Sequence, residues 1–230
     1  MAGKQSGAPA VRGVIMDMDG VILDTEPIYQ AAWQEAAAAL GFKVTAAMYQ
    51  ATLGMTSADG EARFRDMLGP AFPLERFRDA WPRVWRDRVT TGGIPVKKGL
   101  HRFLGLLDSL KIPAVVATSC DAENAALSLR AGGVEGRFAG IVTGDQVPHG
   151  KPAPDIFLKA AKLLGLAPGL CVVIEDSEAG VMAAAAAGIP AIMIPDLKPP
   201  TDAARAAAFR VVGSLDEMAG LISQWHSVSR

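Results

Sequence analysis

The stretch Val14–Pro27, VIMDMDGVILDTEP, decides how the chain reads. A short apolar run ends in two carboxylates, Asp17 and Asp19, and Gly20 lets the backbone turn sharply behind them. Side chains two residues apart in a strand share a face, so both acids face one space if strand geometry runs to the end of the motif. Asp and Gly are also ordinary turn residues, and a lone DxDG fits a loop equally well. The chemical alternative is that one carboxylate attacks phosphorus, the other moves a proton, and a divalent cation offsets their repulsion.

Outward from this motif, Ile28–Leu40 (IYQAAWQEAAAAL) is rich in helix formers and stops at Gly41. Helices are also predicted at 46–52, 57–68 and 74–89, with Pro82 expected to kink or break the last one. Phe77, Trp81 and Trp85 recur every four residues and read as one core-facing stripe. The arginines between them alternate with acids, which describes a solvated face. GGIPVKKG (92–99) reads as a linker.

Beyond the linker, apolar runs at 112–118, 141–143, 171–176 and 191–196 and a short one after Phe209 alternate with helical segments. This pattern predicts an α/β fold, a Rossmann-like parallel sheet with helices on both faces, interrupted by an inserted all-helical cap domain. The core is assigned to residues 11–26 and 93–230, the cap to 27–92, and residues 1–10 to a loose tail. The alanine run Ala183–Ala187 reads as close helix packing.

Half of the 230 residues are hydrophobic and the net charge is −1, so nothing argues for nucleic acid or an anionic membrane as partner. Cys120 and Cys171 lack CxxC spacing and are expected as buried free thiols. No segment reaches the roughly 18 uninterrupted apolar residues of a membrane helix, and the N-terminus lacks the apolar centre of a signal peptide. The expected setting is cytoplasmic and the expected partner a small molecule.

Ligands of a parallel sheet bind outside the carboxyl ends of its strands. Those ends carry Asp17 and Asp19, then Thr118 and Ser119, then Glu175 and Asp176, while Lys151 opens the KPAPDIF segment. Thr118 and Ser119, or Glu175 and Asp176, are also ordinary helix-capping residues. If Asp17 and Asp176 approach each other, their repulsion raises one pKa sharply unless a cation intervenes, and with carboxylate, carbonyl and water donors Mg²⁺ is the natural candidate. Together the set is the inventory of Mg²⁺-assisted phosphoryl transfer.

With these motifs in order, the chain resembles the haloacid dehalogenase-like superfamily, in its phosphatase and phosphomutase branch with a helical cap. DMDGVILDTEP looks like the first motif, ATS (117–119) the second, GKPAPDIF from Gly150 the third and VIEDSEAG from Val173 the fourth. The resemblance implies Asp17 as nucleophile through an aspartyl-phosphate and Asp19 as the acid that protonates the leaving oxygen and then activates water. It implies Mg²⁺ on Asp17, the Asp19 carbonyl and Asp176, with Glu175 ligating directly or through water, and Thr118, Ser119 and Lys151 around the phosphoryl group. It also implies a cap that swings on hinges at 24–27 and 91–95, with substrate choice at Tyr29, Leu53, Gly54, Met55, Thr56 and Ser57. The related β-phosphoglucomutases carry arginine at the position of Ser57, lysine at that of Leu53 and histidine at that of Tyr29. Those departures favour a phosphatase of a small phosphorylated metabolite over a phosphomutase.

GDQVPHGK (144–151) fails as a P-loop, because five residues separate its glycines and Pro152 stands where a Ser or Thr is needed. His149 reads as a loop residue near the site. A non-enzymatic phospho-accepting switch also uses acids, a hydroxyl and a lysine, but gains nothing from a second acid such as Asp19.

Overall fold

The computed structural model describes residues 9–53 and 57–228. The chain falls into two compact units: Thr25–Pro95, and the remainder up to Asp24 and from Val96 onward. Composition alone sets these borders at 26/27 and 92/93.

The Thr25–Pro95 unit is helical throughout its named elements: α1 (Glu26–Ala39), α2 (Ala46–Gln50), α3 (Ser57–Leu68) and α4 (Leu74–Gly92). The Thr45 side chain caps α2 by accepting from the Met48 N–H at 3.2 Å. α1 packs on α4 around a cluster of rings. Trp33 meets Phe64 edge-on at 4.7 Å and Phe77 at 5.5 Å, and Phe64 and Phe77 are fully buried. The stripe Phe77, Trp81 and Trp85 is therefore core, with Trp81 Nε1 donating to Glu61 at 2.9 Å. α4 is continuous through Pro82, so of the two expected effects the break is not made. Pro82 lies on the exposed side, while Phe77, Trp85 and Val89 anchor the helix on both sides of it. The intervening arginines pair with acids, Arg78 with Glu61 and Glu75, and Arg88 with Glu35.

The other unit is built on six parallel strands: β1 (Gly13–Met16), β2 (Ala114–Ala117), β3 (Ile141–Val142), β4 (Cys171–Glu175), β5 (Ala191–Met193) and β6 (Arg210–Val211). Their order is β3-β2-β1-β4-β5-β6. β2 is shorter than its apolar run because Pro113 has no N–H to donate, although its carbonyl still accepts from Val14 at 3.0 Å. Ile15 pairs with Val115 on one side and Val173 on the other, so β1 is a central strand, and every residue of it is buried.

Six helices follow in sequence: α5 (Leu100–Leu110), α6 (Ala122–Ala131), α7 (Asp155–Leu163), α8 (Glu178–Ala186), α9 (Asp202–Ala207) and α10 (Leu215–Val228). Ile15, Val115 and Val173 pack against Phe157 and Ala161 of α7 and Ala183 and Ala184 of α8. The alanine run thus brings α8 close to the sheet. The alternate positions Val14, Met16, Val172 and Ile174 point to the opposite face and are equally buried. Strand order reverses direction between β1 and β4, and the crevice beyond their carboxyl ends is where an open α/β sheet places its ligands.

After β1 the chain folds back tightly, with the N–H groups of Ile22 and Leu23 both donating to the Met18 carbonyl at 2.9 Å. Leu23 bridges to Val96, and the Lys97 N–H donates to the Ile22 carbonyl at 2.9 Å. The chain therefore leaves this unit and re-enters it side by side. Cys120 and Cys171 are free thiols, the first half-buried and the second buried. Among the described residues no helix is long and apolar enough to cross a membrane.

Truncating Phe64 to alanine removes the ring at the centre of the helical unit. It is expected to lower stability by about 3–5 kcal/mol, read as a lower midpoint in urea by tryptophan fluorescence. Trp33, Trp81 and Trp85, three of the chain's four tryptophans, report from that unit.

Candidate active site

Asp17 follows β1 directly, and its N–H donates to the Ile174 carbonyl of β4 at 2.9 Å. Its carboxylate is 10% exposed and its Oδ1 accepts from the ammonium of Lys151, itself 5% exposed. The same ammonium donates to Glu175 Oε1 at 2.6 Å and to the Ala117 carbonyl at 3.1 Å. It also lies 5.1 Å from the centre of the Phe157 ring. Lys151 precedes α7, and the stem of its side chain is covered, so the ammonium is delivered to the ends of β1, β2 and β4 together.

Glu175 closes β4 and is fully buried. Its Oε2 accepts from the Asp176 N–H at 3.0 Å, the Ser177 N–H at 2.9 Å and the Ser177 hydroxyl at 2.8 Å. Both of its oxygens already accept from protein donors, so it does not stand in the site as a free carboxylate. The carboxylate instead anchors Lys151. α8 is capped by Ser177, which accepts from the Gly180 N–H, rather than by Glu175 or Asp176. Gly180 is where it is because a β-carbon there would lie 1.9 Å from the Glu175 carboxyl carbon.

Thr118 is buried beyond β2, and its Oγ1 accepts from the Cys120 N–H at 3.1 Å. That leaves the hydroxyl proton to donate elsewhere. α6 is capped by Asp121, not by Thr118 or Ser119. The exposed Ser119 packs its carbonyl against Gly144, where a β-carbon would come within 2.4 Å of it. Asp19 is half-buried and close enough to Asp17 to add to its repulsion. The Cys120 thiol reaches its Oδ2 at 3.5 Å. Burial, and after it Asp19, pushes that thiol far above its ordinary pKa, so it remains protonated and donates.

One ammonium faces too many acids. Burial first, then Glu175 and Asp19 against the partial relief of Lys151, pushes the Asp17 carboxyl up to about 8. Burial, Glu175 and Asp17 push Asp176 up to about 9. Burial alone would lower the Lys151 pKa, but Asp17 and Glu175 outweigh it and hold the ammonium above its usual range.

The surplus negative charge suits a hard cation. Gly20 has φ +78° and a β-carbon there would lie 2.4 Å from Asp176 Oδ2, so the main chain at Asp19–Gly20 passes directly against that carboxylate. Asp17, Asp176 and main-chain oxygen form a donor set of the kind Mg²⁺ takes, completed by water. Among the described residues no three acidic, histidine or cysteine side chains gather into a ligand group by themselves.

Of the residues expected at the cap, Tyr29 and Leu53 lie on the helical unit. Tyr29 stacks on Trp85 at 5.4 Å, and Leu53 packs on the aromatic core of its own unit. Ser57 opens α3, while Gly54, Met55 and Thr56 lie outside the described residues. His149 is exposed and faces Asp155 at 3.2 Å. Four contributors were not read from the sequence: Gly180, Cys120, Asp196, whose charge adds to the repulsion on Asp176, and Lys97, which donates to Asp196 at 2.6 Å. Asp196 ends the apolar run AIMIPD, a position the strand-end rule could have singled out; Gly180 and Cys120 carry no such signal.

Comparison with known proteins bears on the same residues. The family of haloacid dehalogenase-like hydrolases matches residues 11–188. A phosphorylated carbohydrates phosphatase of Thermotoga maritima is 35% identical over 181 residues, covering 78% of this chain and 82% of that protein. The fructose-1-phosphate phosphatase YqaB of Escherichia coli is 33% identical over 185 residues, covering 78% and 94%. The structure of CbbY from Rhodobacter sphaeroides in complex with phosphate superposes with a TM-score of 0.75 at 27% identity, over 92% of this chain and 99% of that one.

Two outcomes follow from the geometry. Gly180→Ala, which forces Glu175 off its position, is expected to cost about 1–3 kcal/mol in urea denaturation. Asp17 and Asp176 have folded pKa values raised to about 8 and about 9 from the ordinary 3.8. Their contribution is fully present below the ordinary value and is lost as pH rises through the folded ones. In EDTA the melting midpoint should therefore fall between pH 5 and pH 9, and Asp176→Asn should flatten that fall.

Proposed function

Because the chain belongs to the haloacid dehalogenase-like hydrolases, we propose that it is a Mg²⁺-dependent phosphatase that hydrolyses a small phosphorylated carbohydrate through an aspartyl-phosphate on Asp17. The observation that carries this reading is the Asp17 carboxylate, set at the switch point of the sheet with the buried Lys151 ammonium against it.

In this mechanism an oxygen of Asp17 attacks the phosphorus of the monoester, and the bond to the sugar oxygen breaks. Asp19 gives its proton to that oxygen, so the sugar leaves as a neutral alcohol. Asp19 then takes a proton from water, which attacks the phosphorus of the acyl phosphate and regenerates the Asp17 carboxylate with release of inorganic phosphate. Dividing the hydrolysis in this way replaces one difficult displacement by two easier ones. Lys151, the Thr118 hydroxyl and the Ser119 N–H bind the phosphoryl oxygens and offset the charge that develops on them. The Cys120 thiol, on Asp19 Oδ2, helps keep that carboxyl oriented. Asp17, the Asp19 carbonyl and Asp176 would hold Mg²⁺, which supplies charge neutralisation at the phosphoryl group and relieves the crowding of carboxylates.

The relatives support the substrate class. Two are named for phosphatase activity on phosphorylated carbohydrate and on fructose 1-phosphate, and hexitol phosphatase A of Escherichia coli is 30% identical over 188 residues. The helical unit is assigned the choice of sugar, with Tyr29, Leu53, Gly54, Met55, Thr56 and Ser57 as the residues to vary.

The purified protein should release phosphate from p-nitrophenyl phosphate in Mg²⁺, and Asp17→Asn should reduce the rate by about 10³-fold or more. Undiminished turnover in that variant, with contaminating phosphatase excluded, overturns the nucleophile. A panel of hexose and hexitol phosphates should contain the best substrate. Conversion of glucose 1-phosphate to glucose 6-phosphate without phosphate release would replace hydrolysis by a mutase reaction.

A further inference from the structure

A fifth carboxylate stands at the site. Asp196 lies three residues past the end of β5, outside the first and fourth motifs that supply the other acids. Its side chain is 11% exposed. One oxygen, Oδ1, accepts from the Lys97 ammonium at 2.6 Å, and Lys97 also reaches Asp24 Oδ1 at 3.5 Å. The other oxygen, Oδ2, is buried and has no hydrogen-bond partner.

A buried carboxylate oxygen left without a donor is costly, so its direction is informative. A β-carbon at Gly20 would lie 3.2 Å from Asp196 Oδ2 and 2.4 Å from Asp176 Oδ2. The two oxygens therefore converge on the same piece of main chain, one from the end of β4 and one from beyond β5. Lys97 explains why Asp196 is held in this orientation. Its own N–H is tied to Ile22, its ammonium is three-quarters buried, and its shorter carboxylate contact is with Asp196 Oδ1.

We propose that Asp196 is a positioning residue of the metal site: its Oδ2 accepts a hydrogen bond from water carried by the cation, and Lys97 fixes it for that purpose. This rests on the Mg²⁺ reading above. Mg²⁺ keeps several of its waters when it binds protein, and those waters need acceptors around them. Asp17 and Asp176 supply direct ligands, Glu175 is occupied by Lys151 and the start of α8, and Asp196 is the carboxylate with an oxygen still to satisfy. Partners of this outer kind orient what the metal holds and typically change its affinity by 10- to 100-fold.

The test is Mg²⁺ titration by calorimetry on protein stripped with EDTA and freed of phosphate, with no substrate present. Wild type should bind Mg²⁺, and Asp196→Asn should bind it about 10-fold or more weakly. Its gain in melting midpoint at saturating Mg²⁺ should be correspondingly smaller. Lys97→Met, which leaves Asp196 in place but releases it, should weaken Mg²⁺ by a smaller factor, and Lys97→Arg should restore it. Equal affinity in wild type and Asp196→Asn overturns this role and leaves the metal reading intact. No binding by wild type overturns both. If Asp196→Asn does not fold, Lys97→Met decides: an unchanged dissociation constant rejects the proposal and a weakened one supports it.

Discussion

The buried ammonium of Lys151 is the interaction on which the rest of the site depends. An isolated charge of this kind, 5% exposed, would be costly to bury. It is tolerated because Asp17 and Glu175 bind it and the Ala117 carbonyl accepts a third bond. Those three partners come from the ends of three adjacent strands, β2, β1 and β4. The ammonium therefore joins the centre of the sheet at its functional edge. Removing the ammonium would leave Asp17 and Glu175 buried without their shared cation, which is much more damaging than losing an exposed ion pair.

The neighbouring features follow from satisfying that arrangement. Glu175 is held on its second oxygen by the Asp176 and Ser177 N–H groups and the Ser177 hydroxyl, which places the start of α8 behind the site. Positive potential at a helix N-terminus favours the carboxylate there. Gly180 keeps the space that this carboxylate fills, and Gly20 lets the first motif pass against Asp176. Even so, one cation against Asp17, Glu175 and Asp176 leaves an anionic surplus. A cation in the crevice would offset that surplus.

Legibility differed from residue to residue. Asp17, Asp19, Thr118, Glu175 and Asp176 were readable because each ends a short apolar run, and strand ends are where an open parallel sheet presents its ligand-binding groups. Lys151 was readable as a cation opening a helical segment, and the resemblance to a known family gave it its role at the phosphoryl group. Gly180 and Cys120 were not, since one matters for the volume it leaves empty and the other for a contact with a residue 101 positions away. Asp196 ends an apolar run as Asp176 does, but its partner Lys97 is 99 positions distant, and nothing local announces the pair. At Pro82 the local rule predicted a kink or a break, and α4 makes no break, with packing on both sides of the proline holding the helix together.

The stretch Val14–Pro27 and the alternation that follows it determined the kind of protein. Apolar strands between helices require a covered parallel sheet, and acids at the strand ends put phosphate chemistry at one edge of it. These are consequences of periodicity and residue type, which act over a few positions. Tertiary structure alone decided which charges meet. Lys151 serves Asp17 and Glu175, Glu175 also accepts from the start of α8, the Cys120 thiol meets Asp19, and Asp196 keeps an oxygen unmatched. The physical reason is that burial and pairing energies depend on distance in space, and strand order, not position in the chain, sets those distances.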